Sequence, residues 1–277
     1  MNPISLPNWL ESRSSGVLLH VTSLPGEFGI GNLGRSAHEF IDFLHEAGFR
    51  FWQICPVGPT GYGDSPYQVF SSSAGNPYLI DWQSIVEVGI LNLDELAPLR
   101  CHPDDNINYG HLFDHFYSVA QIAYSNFEQN RQSVEAKYGI FSDFIEANKN
   151  WLEPYCCYQA LKKSSANKPW WEWEDKIRKY SRTILDSFST AELETYNLHS
   201  FFQYLFFSQW KELRAYAHSK DVQILGDLPI YVAPDSADVW ERPELFHVDS
   251  KVGEFSHVAG VPPDYFNADG QYWGNPL

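Results

Sequence analysis

Apolar residues follow two distinct rhythms along this chain. Gly16-Val17-Leu18-Leu19-His20 is a short apolar run that breaks at Thr22-Ser23-Leu24-Pro25-Gly26, the pattern of a buried strand entering a loop. From Ser36 the spacing changes: Ala37, Phe40, Ile41 and Leu44 recur at helical intervals, and Gly48 stands where a helix would end. Phe51-Trp52-Gln53-Ile54-Cys55 repeats the strand pattern and is stopped by Pro56 and a turn-rich segment, residues 57–63. Strand, helix and strand at this spacing predict a parallel βαβ unit. Residues 84–197 differ: they are polar, poor in glycine and helical in period, with an aromatic cluster at Trp170, Trp171 and Trp173, and they read as a mainly helical insertion. Leu198, Phe201, Phe202, Leu205, Phe206 and Leu213 then mark a strong amphipathic helix, which feeds Val222-Gln223-Ile224-Leu225 as a third strand. Beyond Ile230 the abundance of Pro, Gly and Asp predicts long ordered loops.

The expected organisation is therefore 1–83, two βα units with a loop; 84–197, the helical insertion; and 198–277, the third strand unit and its loops. Three parallel strands with helices between them fit either a doubly wound sheet or the start of a (β/α)8 barrel. With the insertion set aside, the remainder falls short of the ~200 residues of a minimal barrel, so an incomplete α/β sheet is expected. The last residues, Trp273-Gly274-Asn275-Pro276-Leu277, read as a turn with no closing helix or strand.

Composition narrows the partners. Nineteen basic against 35 acidic residues give a net charge of −16, the wrong sign for a nucleic acid or an anionic membrane. No run approaches the ~18 apolar residues of a membrane helix, and the first residues lack the basic and apolar regions of a signal peptide, so a soluble, cytoplasmic protein is expected. Cys55, Cys101, Cys156 and Cys157 show no metal-type spacing and read as reduced thiols. Ten Trp, 16 Tyr and 19 Phe exceed ordinary usage, which fits a large aromatic core or faces that stack on sugar rings.

Three segments could carry chemistry. Gly29-Ile30-Gly31-Asn32-Leu33-Gly34 matches a dinucleotide phosphate loop as a string, but its glycines lie nine residues beyond His20 and no acidic residue closes the second strand, so a structural turn competes with that reading. The loop from Gly58 to Tyr78 holds Tyr62, Asp64, Ser65, Tyr67 and Gln68, which suit hydroxyl binding and stacking, or a structural loop with buried tyrosines. Asp227 ends the third strand, where α/β sheets present catalytic groups; it can bind a hydroxyl, a metal or a cation, or serve as a cap. Asp235 or Ser236 suits a helix N-cap. Asp264, with Tyr265, Phe266, Tyr272 and Trp273 nearby, again joins a carboxylate to aromatics. No metal site is expected; His38 and His45 suit a solvated helix face.

Taken together, LLHVTSLPGEFGIGNLG (18–34), WQICPVGPTGYGDSPYQ (52–68), SAGNPYLID (73–81), FFQYLFFSQW (201–210), ILGDLPIYVAPDSADVW (224–240), VAGVPPDYF (258–266) and YWGNPL (272–277) closely resemble the amylomaltase or 4-α-glucanotransferase family of the α-amylase clan. The resemblance implies a (β/α)8 barrel with helical insertions, of which this chain carries about three strands. It also implies transfer of α-1,4-glucan segments between malto-oligosaccharides by a retaining mechanism, without a cofactor. Carried over by motif, Tyr67 lines the sugar subsite at the cleaved bond with Ser65 beside it, Tyr62 belongs to a secondary glucan patch, and Asp227 supports the catalytic centre. Asp264 and Trp273 fall in a loop covering bound glucan. Retention requires a nucleophilic carboxylate and an acid about 5–5.5 Å apart. In the family the nucleophile lies in an Arg-x-Asp-His segment after the fourth strand and the acid after the fifth. No Arg-x-Asp-His occurs here. The expectation is thus an N-terminal portion, inactive by itself; the rival is a non-catalytic α-glucan-binding or interaction protein.

Overall fold

The three apolar runs become three short strands. In the computed structural model, which describes residues 13–61, 64–101, 106–249 and 253–277, β1 (Gly16–Leu18) leads through α1 (Arg35–Glu46) to β2 (Phe51–Gln53). Four helices follow: α2 (Trp82–Glu87), α3 (Tyr109–Phe127), α4 (Arg131–Tyr138) and α5 (Phe141–Ser164). Then α6 (Thr190–Ser219) returns the chain to β3 (Gln223–Leu225). The strands lie in the order β1-β2-β3, all parallel, with Val17 opposite Trp52 and Trp52 opposite Ile224.

Local chemistry sets these boundaries. Ala37, Ile41 and Leu44 bury one face of α1, and Gly48 adopts φ 77°, a left-handed conformation that glycine takes without steric penalty. Ser189 and Glu192 close a capping box at the start of α6, an arrangement worth about 1 kcal/mol. From there α6 runs unbroken across residues 197 and 198, so the expected change of unit falls inside one helix. The physical reason is a continuous buried stripe, Thr195, Leu198, Phe201, Phe202, Leu205, Phe206 and Leu213.

One core surrounds Trp52, whose indole N–H donates to the Leu19 carbonyl at 2.7 Å while Phe40 meets its ring edge-on at 5.1 Å. This core runs from the sheet through α1 and α6 into α3 and α4, where Phe116, Phe127 and Val134 are buried. A second core gathers Tyr158, Trp170, Trp173 and Trp240 around α5. Among the described residues the sheet is covered on one face only: Trp52 is fully buried, whereas Leu18 and Gln53, which point the other way, are exposed. Parallel sheets are ordinarily covered on both faces.

Past β3 come α7 (Ala237–Glu241) and two antiparallel ribbons, β4 (Val248–Asp249) with β5 (Glu254–Phe255) and β6 (Val258–Val261) with β7 (Gln271–Pro276). The sequence predicts a helix cap at Asp235 or Ser236 and otherwise only loops here. Its Gly and Pro content hides the ribbons, since Gly260 has room for no side chain against the Gln271 carbonyl and Gly270 turns at φ 77°. Ser236 caps α7 by accepting from the Val239 N–H.

Candidate functional site

The loops that leave β2 and β3 are stitched into one body. Phe70 N–H bonds the Pro59 carbonyl at 2.9 Å, and Thr60 pairs antiparallel with Val69, which sets the start of this loop against its end. The carbonyls of Val69 and Phe70 accept from Ala233 and Ala237 in the segment after β3, at 3.1 and 2.8 Å. Ser72 bonds the Asp238 carboxylate through its N–H and its hydroxyl. Asp235, instead of capping a helix, accepts from the Tyr158 hydroxyl at 2.7 Å and the Trp170 N–H at 3.1 Å and pairs with Lys162, tying the same segment to α5. Gln203 of α6 clamps Gly75 from both sides, with 2.7 and 2.9 Å bonds to its N–H and carbonyl.

Within that frame the structure brings Tyr67 to Asp227. The Tyr67 hydroxyl donates to Asp227 Oδ2 at 3.0 Å, and both residues are exposed. That bond to a carboxylate, and a second contact with the Cys55 thiol, push the Tyr67 phenol up to about 12. Tyr67 therefore stays a neutral donor at physiological pH. Ser65 shapes the turn by accepting from the Tyr67 N–H at 3.3 Å. Asp64 beside it sits at φ 56°, and burial raises its carboxyl. Tyr62 lies outside the described residues.

Trp273 reaches the same region. Its ring meets Tyr231, four residues after Asp227, edge-on with centroids 6.3 Å apart, and Asn275, two residues after Trp273, donates to the Val232 carbonyl at 3.1 Å, beside Tyr231. Asp264 does not join them. Its Oδ1 accepts from the N–H groups of Phe266 and Asn267, both at 2.9 Å, so the carboxylate locks its own turn at the tip of the β6–β7 ribbon. Tyr265 and Phe266 stand fully open at that tip.

The sequence reading passed over Tyr231 and Cys55. Continuing the strand register by two residues sets His20, Cys55 and Asp227 in one row beyond the strand ends, which the pairing of β1, β2 and β3 alone could have revealed. His20 is held partly out of water, its Nδ1 has no partner, and burial lowers its pKa. It also passed over His111 and His115, spaced as i and i+4 on α3 with ring centroids 4.5 Å apart, a spacing that metal sites use. Among the described residues no group of three or more metal-ligating side chains forms.

The glycine string is a structural turn. A side chain at Gly31 would fall 2.0 Å from the Val21 carbonyl oxygen, and one at Gly34 would fall 2.5 Å from the Asp81 carboxylate, which faces the start of α1 where a phosphate would have to sit.

Chemically, Tyr67 offers a hydroxyl and half of a ring face, Asp227 an acceptor, and Tyr231 with Trp273 an aromatic wall. These are groups that recognise a neutral polyhydroxyl ligand. Residues 19–277 match the family model for 4-alpha-glucanotransferase. The chain belongs to the 4-alpha-glucanotransferase family. The 4-alpha-glucanotransferase of Thermus thermophilus is 45% identical over 265 residues, 96% of this chain and 52% of that protein. The chloroplastic/amyloplastic 4-alpha-glucanotransferase of Solanum tuberosum is 34% identical, covering 99% of this chain and 49% of its own. The solved amylomaltase from Streptococcus agalactiae in complex with acarbose superposes with a TM-score of 0.87 at 41% identity, over 96% of this chain and 53% of that one. The amylomaltase from Corynebacterium glutamicum, at 20% identity and a TM-score of 0.71, shares the fold. The chain thus spans about half the length of the curated 4-alpha-glucanotransferases it matches. No helix among the described residues is long and apolar enough to cross a membrane.

Proposed function

We propose that this chain forms one wall of an α-1,4-glucan cleft, and that β1, β2 and β3 are the first three strands of a (β/α)8 barrel. The observation that carries the reading is the Tyr67–Asp227 hydrogen bond, which joins loops from two adjacent strand ends on a chain of the 4-alpha-glucanotransferase family. In this reading Tyr67 packs its ring against a glucosyl unit, the free oxygen of Asp227 accepts a sugar hydroxyl, and Ser65 holds the turn between them. Tyr62 belongs to a separate stacking patch, and Trp273 and Asp264 to the covering loop, Trp273 by contact and Asp264 by shaping its turn. The division into 1–83, 84–197 and 198–277 remains part of the proposal, with α6 bridging the last two segments. Cytoplasmic residence also belongs to it, supported by four unpaired cysteines.

Transfer of glucan segments needs a nucleophilic carboxylate and an acid on either side of the scissile bond. Asp227, held by Tyr67, supports binding and orientation. In this proposal the nucleophile and acid stand on strands beyond the three present here, so the 277-residue chain binds malto-oligosaccharides without transferring them. Titration calorimetry with maltoheptaose tests the binding: Tyr67→Ala is expected to weaken affinity by about 0.5–1.5 kcal/mol, the range of an aromatic contact. A wild-type chain that matches Tyr67→Ala refutes the assignment. A non-catalytic α-glucan-binding protein is the second reading, favoured by the lack of an Arg-x-Asp-His segment. Glucose release from maltotriose by this chain alone would exclude both that reading and the expected inactivity.

A further inference from the structure

A cavity of about 590 Å³ opens where α3, α5 and the first turns of α6 diverge, within the size range of small-ligand sites. Its floor is apolar, with Ala160 and Leu198 buried and the Tyr124 ring backed by Phe201 at 5.5 Å. Around the rim stand an amide (Gln121), a phenol (Tyr124), an ammonium (Lys163) and a carboxylate (Glu194), drawn from three helices. None of these four side chains has a hydrogen-bond partner among the described residues.

We infer that this cavity is a second carbohydrate site, taking a glucosyl segment of an α-glucan, apart from the Tyr67–Asp227 pair. The inference rests on the α-glucan reading above for its choice of sugar. An apolar floor under a ring of mixed donors and acceptors matches a pyranose, which has a C–H face and a rim of hydroxyls that both donate and accept. The remaining wall disfavours other ligands. With Glu128 paired to Arg131, Glu192 and Glu194 still outnumber Lys163, so an anion meets net repulsion. A cation finds only a small excess of negative charge, because Glu128 is paired with Arg131 and Lys163 offsets one of the two remaining carboxylates.

The position is suited to a long ligand. Gln203 clamps the loop that carries Tyr67, and Thr195 of the cavity wall precedes it on the same helix by roughly 12 Å at the helical rise.

Calorimetric titration of the full chain with maltoheptaose separates the two sites. In a Tyr62→Ala background, which removes the separate stacking patch proposed above, the chain is expected to bind two equivalents. Gln121→Ala combined with Lys163→Ala, both at exposed positions, is expected to weaken one equivalent at least about tenfold and leave the other, while Tyr67→Ala weakens that other by about two- to thirteenfold and leaves the first. Tyr124→Phe, which keeps the ring and removes only the hydroxyl, is expected to weaken the same equivalent as the double variant. If Tyr67→Ala leaves both equivalents and the double variant removes one, the cavity stands and the Tyr67 assignment fails. Two equivalents unchanged in the double variant, a single equivalent lost in Tyr67→Ala, or binding of inorganic phosphate or spermidine in place of maltoheptaose would overturn the inference.

Discussion

Tyr67 and Asp227 are separated by 160 positions in sequence and joined by one hydrogen bond. What joins them is backbone: the segment after β3 bonds the carbonyls of Val69 and Phe70, just after Tyr67. That placement was partly legible beforehand, because each residue follows a strand and a parallel sheet gathers strand ends along one edge. The hydrogen bond was not legible, since it depends on a local turn built from Ser65 and Asp64 at φ 56°. Asp264 shows the opposite case. The motif marks it as a ligand contact, yet its carboxylate answers two N–H groups of its own turn, a local demand that short polar side chains readily meet. The pair itself can be tested by titration. An anionic acceptor favours the protonated phenol, so Tyr67 ionises late, at about 12. In Asp227→Asn the acceptor is neutral, and one tyrosine is expected to ionise closer to pH 10 in an alkaline absorbance titration. An unchanged curve would mean that Asp227 does not hold the hydroxyl in solution.

At the scale of elements, α6 is the member on which the fold turns. It packs against α5 and α3, clamps the Tyr67 loop through Gln203 and delivers the chain to β3. Its stripe of aromatics made the helix visible in sequence from Leu198 onward, but not its first two turns, where Ala191, Leu193 and Glu194 give no apolar rhythm and the Ser189–Glu192 capping box carries the signal instead. Buried on α6 is His199, its Nδ1 unpartnered and its ring against Tyr155, Tyr117 and Phe202. Burial lowers its pKa to about 3, with Lys163 adding to the shift. The unfolded chain takes up a proton near pH 6.5 that the folded chain refuses until about pH 3. This group therefore leaves stability intact above pH 6.5 and costs stability progressively as pH falls through that window. His199→Leu removes both the titration and the unpartnered nitrogen. Its urea midpoint is expected to match or exceed that of the wild type at pH 8, and to exceed it by a wider margin at pH 4.5. A margin that stays constant between the two pH values would show that His199 is not kept neutral.

Across the whole molecule, two aromatic cores coexist with a sheet that has one face bare among the described residues. The apolar runs disclosed the strands, and their spacing disclosed parallel pairing; which face stays open depends on the register, where Trp52 turns toward α1 and α6 while Leu18, 64% exposed, turns away. Among the described residues nothing pairs with the outer edges of β1 and β3. Leu228 and Ile230, on the segment after β3, are more than four-fifths exposed, as is Tyr272 on β7. Exposed apolar groups at this density are a recognised cause of association. The chain alone is therefore expected to bind an environment-sensitive dye and to sediment as a mixture of oligomers. Dye binding by itself does not separate an open face from a loosened core, but substitution does. Leu18→Glu and Ile230→Glu place charge where no side chain packs, so they should reduce dye binding and association while leaving the urea midpoint within about 0.5 kcal/mol of the wild type. A buried Leu replaced by Glu would instead lose several kcal/mol, from the vacated packing and the desolvated carboxylate together. A large loss of stability in either variant would place those side chains in a packed interior and remove the open face on which the barrel reading depends.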